Sequence, residues 1–277
     1  MLNKINYFLD TSIFRSFLLS SHSYREYIKS NIALNSSFIS KFVLMEFTRS
    51  YIVNIVNFYF LLENPEITSF QDAIAVWSNK YKSNELKAIL QLVGNLHNIY
   101  EIHDKESAKK AIESYLKLLL VKSRSFFKDT GIDSTRCRRA LVPLLIISDN
   151  FPEELRQFKI EFDKTFEHQS NCGIYYFLTT KHSSSISLFL STKASSSCSK
   201  GFESIVEYIA EINKNGASKC TCRMCGNIGD AVICLDCPTN MVLVHSDDSF
   251  DDICKIIKQN HNKLHSEIAH IKLYASP

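Results

Sequence analysis

Four aspartates stand at places in the sequence where a fold delivers side chains to a site. Asp10 directly follows a short apolar run near the N-terminus, and Asp247 and Asp248 directly follow the apolar run 241–245. Asp230 opens a short apolar segment that is typical of a helix. In open α/β sheets, side chains at the carboxyl ends of strands line a crevice. Carboxylates that meet in such a crevice are suited to hold Mg²⁺ or Mn²⁺, which prefer oxygen ligands.

A glutamate in an apolar stretch could supply a further carboxylate. Glu46 is the one acid between Glu26 and Glu63. Burying a lone carboxylate is costly unless it is paired or binds a metal. A glutamate on the solvated side of an amphipathic helix fits the same pattern, and Asp10 fits the N-cap of a helix, which Asp often occupies. The sequence leaves these interpretations open.

Cysteines form a second group with metal-binding spacing. Cys222 and Cys225, then Cys234 and Cys237, have the layout of a zinc ribbon, with Cys220 as a further thiolate. The second pair also falls on the buried stripe of the helix predicted after residue 229, where free Cys behaves as a small hydrophobe. Three interpretations stay open: a zinc ribbon with four cysteine ligands, a local zinc or redox role for Cys220, Cys222 and Cys225, and structural thiols.

The composition is that of a globular protein, with 277 residues, of which 45% are hydrophobic and 22% charged. The longest apolar run, around 52–62, is broken by asparagines and is too short to span a bilayer. No signal peptide is recognisable, and nine cysteines then fit thiols or metal ligands better than disulfides. We therefore expect a cytoplasmic protein without membrane association. A net charge of +3 does not by itself indicate nucleic-acid binding.

Apolar runs and helical periodicity at both ends of the chain predict an α/β fold. Strands are predicted at 4–9, 241–245 and 268–274, and residues 38–40 are interpreted as a short strand or the lead-in to a helix. Helices are predicted at 41–62, at 200–213, from Gly229 to a turn at 238–240, and at 251–259.

The middle of the chain, residues 65–199, has a helical, non-repetitive pattern. Its predicted elements are helices at 70–95 with a break near Ser83, at 105–127 and from Phe151, a strand at 174–179, and loops in the Ser-rich segments 183–187 and 195–199.

Basic residues concentrate in one part of this middle region. Between Lys105 and Arg139 there are ten Lys or Arg against four Asp or Glu, and the series ends with Arg136, Arg138 and Arg139. Such a bias can grip nucleic-acid phosphates. It is also typical of an ordinary solvated face.

Four motifs together resemble the PIN-domain family of metal-dependent ribonucleases. They are YFLDTSIF at 7–14, Glu46 within ISKFVLMEF, GDAVI at 229–233 and LVHSDDSF at 243–250. In that family the first strand ends in an Asp followed by Ser or Thr, and an early helix carries a Glu. A late helix begins with Asp, and the next strand leads to an Asp before a Phe. The match covers both ends of the chain and leaves the middle unmatched.

The resemblance implies an α/β, PIN-like three-layer fold with a small parallel sheet flanked by helices. It implies that residues 1–64 form the first part of the PIN-like domain and residues 200–277 the second part. Residues 65–199 are then a large, mostly helical insertion.

The resemblance also implies a catalytic site for Mg or Mn. We expect Asp10, Glu46 and Asp230 to hold the metal, with Asp247 as a direct or water-mediated ligand and Asp248 as its substitute.

Two neighbouring residues complete this expectation. Ser12 is expected to hydrogen-bond and orient the carboxylate of Asp10. His245 occupies a position where the family often has Ser or Thr, and capping of the strand end and substrate contact are both open for it.

The function that the resemblance implies is hydrolysis of RNA by an endoribonuclease, with an RNA substrate bound along the acid crevice. Small bacterial members of the family act as toxins neutralised by a partner protein, so a toxin, defence or RNA-processing role and an inhibitory or system partner are further expectations. Whether the chain forms an oligomer is left open. Two alternatives remain: a PIN-like nuclease that acts on DNA, and a zinc-stabilised nucleic-acid-binding or scaffold module without catalysis.

Overall fold

The described residues are mostly helical and form one small, all-parallel sheet. A computed structural model describes residues 5–81, 84–97, 99–130, 145–164, 173–192, 198–216 and 221–266. Its strands are β1 (Tyr7–Leu9), β2 (Ser37–Ile39), β3 (Lys128–Asp129), β4 (Val242–His245) and β5 (His261–Lys263). They are hydrogen-bonded in the order β3-β2-β1-β4-β5.

The sheet changes its direction of growth between its two central strands. Tyr7 of β1 pairs with Ser37 on one side and with Val242 on the other, so β2 and β3 extend the sheet one way and β4 and β5 the other. Phe8 and Leu243 on these central strands are fully buried, as expected for a parallel sheet covered on both faces. Such a switch point opens a crevice at the carboxyl ends of the two strands.

Helices account for most of the chain. They are α1 (Thr11–Leu19), α2 (His22–Asn31), α3 (Lys41–Phe47), α4 (Val53–Leu62), α5 (Phe70–Lys80), α6 (Asn84–His97), α7 (Lys105–Phe126), α8 (Phe151–Lys164), α9 (Gly173–Tyr176), α10 (Ser183–Thr192), α11 (Lys200–Asn215), α12 (Cys222–Asn227), α13 (Gly229–Asp236) and α14 (Asp248–Ile257). Two π-helical segments, Thr48–Ile52 and Phe177–Lys181, continue α3 and α9. None of the helices in the described residues combines the length and the apolar character needed to cross a membrane.

The chain forms two compact units. The first unit comprises residues 1–44, 126–141 and 167–277, and it contains the whole sheet. Within it, Phe127 packs edge-on against Phe14 and Phe17 of α1, with ring centroids 5.0 and 5.2 Å apart. The segment after α7 therefore contributes both an edge strand and core contacts to this unit.

The second unit is helical and comprises residues 45–125 and 142–166. Trp77 of α5 is buried at its centre, edge-on to Phe58 of α4 at 5.6 Å between ring centroids. Tyr51 and Tyr115 share a buried hydrogen bond of 3.0 Å, and Asn95 donates a further one to Tyr115. The unit thus has its own aromatic core and its own internal polar contacts.

The structure corrects two elements predicted from sequence. Residues 174–179 are helical, because Ile174, Phe177 and Leu178 are buried at the i, i+3, i+4 spacing of one helix face. The Ser-rich segment 183–187 is the start of α10, which buries Ile186 and Phe189. The last predicted strand, 268–274, lies outside the described residues.

The end of α14 offers a stabilising substitution. Lys258 is the C-cap of this helix and has a left-handed backbone conformation, with φ 59° and ψ 36°. A non-glycine residue pays a steric cost of roughly 1 kcal/mol there. Lys258→Gly is therefore expected to raise the free energy of unfolding by about 0.5–1 kcal/mol, measured by urea denaturation.

A matched glycine within the same helix provides the control. Lys255 is exposed on α14, and Lys255→Gly is expected to lower the free energy of unfolding by about 1 kcal/mol. If both glycines lower it equally, the backbone at residue 258 is not left-handed.

Candidate metal and active site

Asp10 lies at the carboxyl end of β1, next to the carboxyl end of β4. Its backbone N–H donates to the carbonyl of Val244 at 3.0 Å, which continues the sheet pairing by one residue. Its side chain is buried, with 2% of its surface exposed. One carboxylate oxygen accepts a hydrogen bond from the N–H of Ile13 at 2.8 Å. The capping role predicted for Asp10 is therefore confirmed.

Three of the sequence-predicted aspartates belong to the starts of three helices. Asp10 is the N-cap of α1, Asp230 is in the first turn of α13, and Asp247 is the N-cap of α14. Helix N-termini carry partial positive charge and stabilise nearby carboxylates. Each helix start therefore offsets part of the cost of burying the charge of its aspartate.

Serine hydroxyls hold two of the carboxylates. Ser12 donates a hydrogen bond of 2.7 Å to Asp10, as predicted, and lies 2.8 Å from the hydroxyl of Ser246 in the loop after β4. Ser249 of α14 donates to Asp230 at 2.6 Å. Sequence reasoning missed Ser246 and Ser249, since the pairing of β1 with β4 decides the first contact and the packing of α14 against α13 decides the second.

The three aspartates influence one another electrostatically. The pKa of Asp10 is raised to about 8, mainly by burial, with smaller contributions from the carboxylates of Asp247 and Asp230. The pKa of Asp230 is raised by burial and by Asp247. Asp247 is exposed as a residue, yet partial burial of its carboxyl group raises its pKa as well. In the absence of a cation, burial and neighbouring charge therefore disfavour the ionised form of all three acids.

The spacing of these acids leaves room for solvent. Among the described residues, only a cluster beside this site places three ligand atoms within 4.8 Å of one another, and it consists of His245, Asp251 and His261. As a set, Asp10, Asp230 and Asp247 are spaced more widely than that. An ion among them would keep water molecules in its shell, as Mg²⁺ usually does.

Two further acids, Glu46 and Asp248, were predicted as metal ligands. Glu46 is half-buried on α3, at a position that belongs to the second unit. Asp248 is exposed and forms an ion pair with Lys263, which lowers its pKa. The ligand roles predicted for these two residues stay predictions.

A cation close to the acids was not expected from the sequence. Arg15 is exposed on α1. Its positive charge opposes part of the rise in the pKa of Asp247. Its position in the second turn of the helix that follows Asp10 is the sequence signal for a cation near this acid. A single arginine in a helix is not distinctive. The basic residues singled out from sequence, Arg136, Arg138 and Arg139, lie outside the described residues.

Four of the cysteines that the structure describes are buried thiols, namely Cys225, Cys234, Cys237 and Cys254. Cys234 of α13 has its sulfur 3.3 Å from that of Cys254 on α14, and Cys237 accepts a hydrogen bond from Gln259. Burial raises the pKa of Cys234 and of Cys237, so both are protonated thiols.

The remaining predictions for the cysteine group concern residues that lie partly outside the described structure. Cys220 and the side chain of Cys222 lie outside the described residues. The zinc ribbon and the local zinc role stay untested hypotheses.

His245 is fully buried at the end of β4. Its Nδ1 lies 3.1 Å from the carbonyl oxygen of Asp247, so it ties the loop that carries this acid to the strand end. Burial lowers the pKa of His245 to about 4, and the imidazole is neutral at neutral pH. The capping interpretation of His245 fits these contacts.

Comparison of the whole chain with protein-family models, with curated proteins and with solved structures found no match in any of the three.

Proposed function

We propose that this chain is a metal-dependent endoribonuclease of the PIN-domain type, with Asp10, Asp230 and Asp247 as the centre of its active site. The observation that carries the proposal is the convergence of these carboxylates at the switch point of a parallel sheet, where burial raises the pKa of all three and the charge of Asp247 raises that of Asp10 and Asp230 further. The four motifs that resemble the PIN family support it, since three of them supply these acids. The small parallel sheet flanked by helices agrees with the three-layer fold that the resemblance implies.

The donor set fits Mg²⁺ or Mn²⁺. Three carboxylates offer hard oxygen ligands without nitrogen or sulfur. Because their pKa values are raised, ionisation of these groups is unfavourable unless a cation is bound beside them. Bound there, such an ion supplies Lewis-acid activation of water and neutralises charge that develops on the phosphoryl group.

The chain's own residues orient the acids and the substrate. Ser12 and Ser249 fix one oxygen of Asp10 and of Asp230, which leaves the other lone pairs in defined directions. Arg15 places a positive charge near Asp247, on the exposed surface of α1, where it can hold a backbone phosphate of the substrate. Binding at such a groove is expected to weaken with salt.

Cleavage of end-labelled single-stranded RNA, in parallel with DNA of the same sequence, tests the proposal. Wild-type protein is expected to cut RNA internally with Mn²⁺ or Mg²⁺ and not with EDTA, and Asp230→Asn is expected to remove the activity. Glu211→Gln, which removes an exposed acid of α11, serves as the matched control and retains it.

The alternative outcomes each point elsewhere. Cleavage of the DNA alone would assign the site to a DNA nuclease. Cleavage that Asp230→Asn leaves unchanged would place the activity outside these acids. RNA binding without cleavage under any metal would favour the nucleic-acid-binding module.

The hydroxyl of Ser12 provides a graded prediction. Ser12→Ala removes the hydrogen bond to Asp10 and leaves the carboxylate and its bond from Ile13 in place. Loss of such an outer contact typically costs about 10–100-fold in metal affinity or activity. We expect a loss of that size in the cleavage rate at limiting Mn²⁺, partly recovered at high Mn²⁺.

Ser23→Ala is the matched control for this measurement. Ser23 is exposed on α2, and its hydroxyl lies 3.3 Å from that of Ser21. Its replacement is expected to leave the rate and its Mn²⁺ dependence unchanged. Equal rates for the two variants would remove Ser12 from the site.

A further inference from the structure

Beside the acid site, β4, β5 and α14 bring two imidazoles and a carboxylate together. His245 ends β4 and His261 begins β5, and the parallel register places both on the same face of the sheet. Asp251, in the first turn of α14, faces them from the helix. We call His245, Asp251 and His261 the His–Asp cluster.

The ligand atoms of this cluster have the spacing of a metal site. His245 Nε2 lies 3.0 Å from His261 Nδ1, and Asp251 Oδ1 lies 3.6 Å from each of these nitrogens. In the plane of the three atoms, the point equidistant from them lies about 2.0 Å from each. An ion slightly above this plane therefore lies at the distance of zinc–nitrogen and zinc–oxygen bonds, about 2.0–2.2 Å. The three atoms thus form one face of a tetrahedron around a single ion.

Outer contacts already direct two of the three ligands. The Nδ1 of His245 faces the carbonyl of Asp247, so the proton belongs on Nδ1 and the lone pair on Nε2 faces the cluster. The other oxygen of Asp251 is ion-paired with Lys263, which leaves Oδ1 directed at the imidazoles. Ligating histidines and carboxylates commonly have such partners.

Without an ion, one N–H···N hydrogen bond between the imidazoles holds the pair. The two rings are inclined by only 24°, so they must tilt toward Asp251 for both lone pairs to meet one ion. The proton on Nδ1 of His261 must move to its Nε2 or be released. About a third of the His261 side chain is exposed, so solvent can take part in that transfer.

We propose that the His–Asp cluster is a binding site for Zn²⁺ or a similar first-row divalent ion, with solvent in the fourth position. Two imidazoles and one carboxylate favour such an ion over Mg²⁺, whereas the all-oxygen acid site has the opposite preference. The His–Asp cluster therefore binds a different ion from the acid site. An ion here ties β5 to α14 and, through His245, fixes the backbone at Asp247.

Titration with Co²⁺ in the presence of excess Mg²⁺ tests this site directly, because cobalt reports its ligands spectroscopically and Mg²⁺ fills the acid site. The full chain is expected to bind one Co²⁺ with visible bands of nitrogen and oxygen coordination, and Zn²⁺ is expected to displace it. His261→Ala and Asp251→Asn are each expected to weaken binding by more than about a hundredfold, beyond the cost of losing an outer hydrogen bond. His265→Ala, a few residues after β5, is the matched control and retains full binding.

Three results would overturn the site. They are an absence of stoichiometric Co²⁺ binding, binding that His261→Ala leaves intact, and a thiolate-to-cobalt charge-transfer band, which would place the ion on cysteines. Thermal melts confirm that each variant is folded. Because the readout is metal binding and not cleavage, the outcome is independent of whether the chain cuts RNA.

Discussion

Asp10→Asn is expected to lower the metal-dependent cleavage of RNA by at least about a thousandfold, which corresponds to roughly 4 kcal/mol of lost transition-state stabilisation. The substitution removes one negative charge from the place where the three aspartates meet. The amide oxygen of Asn is a weaker ligand than a carboxylate, and the ion then lacks its most buried anionic partner. Single-turnover cleavage of labelled RNA at saturating Mn²⁺ measures the effect.

The same substitution is expected to leave the local structure intact. The side-chain oxygen of Asn can accept the hydrogen bond from Ile13, and its amide can donate to Ser12, whose own proton then goes to Ser246. A loss of activity thus reports on charge and not on unfolding. The far-ultraviolet spectrum and the melting temperature of the variant verify this.

Two further measurements make the prediction sharp. Glu211→Gln changes the net charge by the same amount at an exposed site and is expected to cleave like the wild type. Raising the Mn²⁺ concentration is expected to restore little activity to Asp10→Asn, in contrast to Ser12→Ala. More than a tenth of the wild-type rate in Asp10→Asn would show that Asp10 is not a metal ligand.

The sequence is most informative where apolar strands run into acids. The first strand and Asp10, the helix that begins at Gly229, and the strand before Asp247 all occur as predicted. Burial explains this, since the central strands are apolar runs that cannot be mistaken for loops. Ser12 could be assigned for a similar reason, because its contact with Asp10 spans only two residues.

The edge strands and the helical segment 174–179 escape sequence reasoning for physical reasons. The edge strands β3 and β5 have the sequences Lys-Asp and His-Asn-Lys, which carry no apolar alternation, and the sheet alone defines them. Residues 174–179 are rich in residues that favour strands, yet packing of one face makes them helical. Tertiary contacts override local preference in both cases.

The parts of the site that sequence reasoning missed depend on register and helix packing. The contact between His245 and His261 exists because β4 and β5 are paired in one particular register. Ser249 reaches Asp230 because α14 packs on α13. Neither contact leaves a signal in the spacing of residues along the chain.

The pKa values of the acids predict how the stability of the metal-free protein varies with pH. Asp10 has a folded-state pKa raised to about 8, well above the ordinary value of 3.8 for an aspartate. Between these two values the folded protein binds more protons than the unfolded chain. The free energy of unfolding therefore falls as pH rises across this window, by up to about 1.4 kcal/mol per pH unit for one such group. Asp230 and Asp247, whose pKa values are also raised, act in the same direction.

Denaturant unfolding in EDTA at about pH 5 and about pH 8.5 measures this slope, and Asp10→Asn isolates the part due to Asp10. Because Asn does not ionise, the variant is expected to have a flatter pH dependence and to exceed the wild type in stability at the higher pH, by roughly 2–5 kcal/mol. An identical slope in both proteins would mean that Asp10 ionises normally in the folded chain.

Mn²⁺ is expected to reverse the trend in the wild type alone. The ion binds the deprotonated carboxylates of the folded state, so its stabilising effect grows as pH rises through the folded-state pKa of Asp10. With Mn²⁺ present, the wild type is expected to become more stable than Asp10→Asn at about pH 8.5, which inverts the order found in EDTA. Such a reversal in the stabilities of the wild type and Asp10→Asn would show that the carboxylates that destabilise the metal-free fold are also the ligands of the ion.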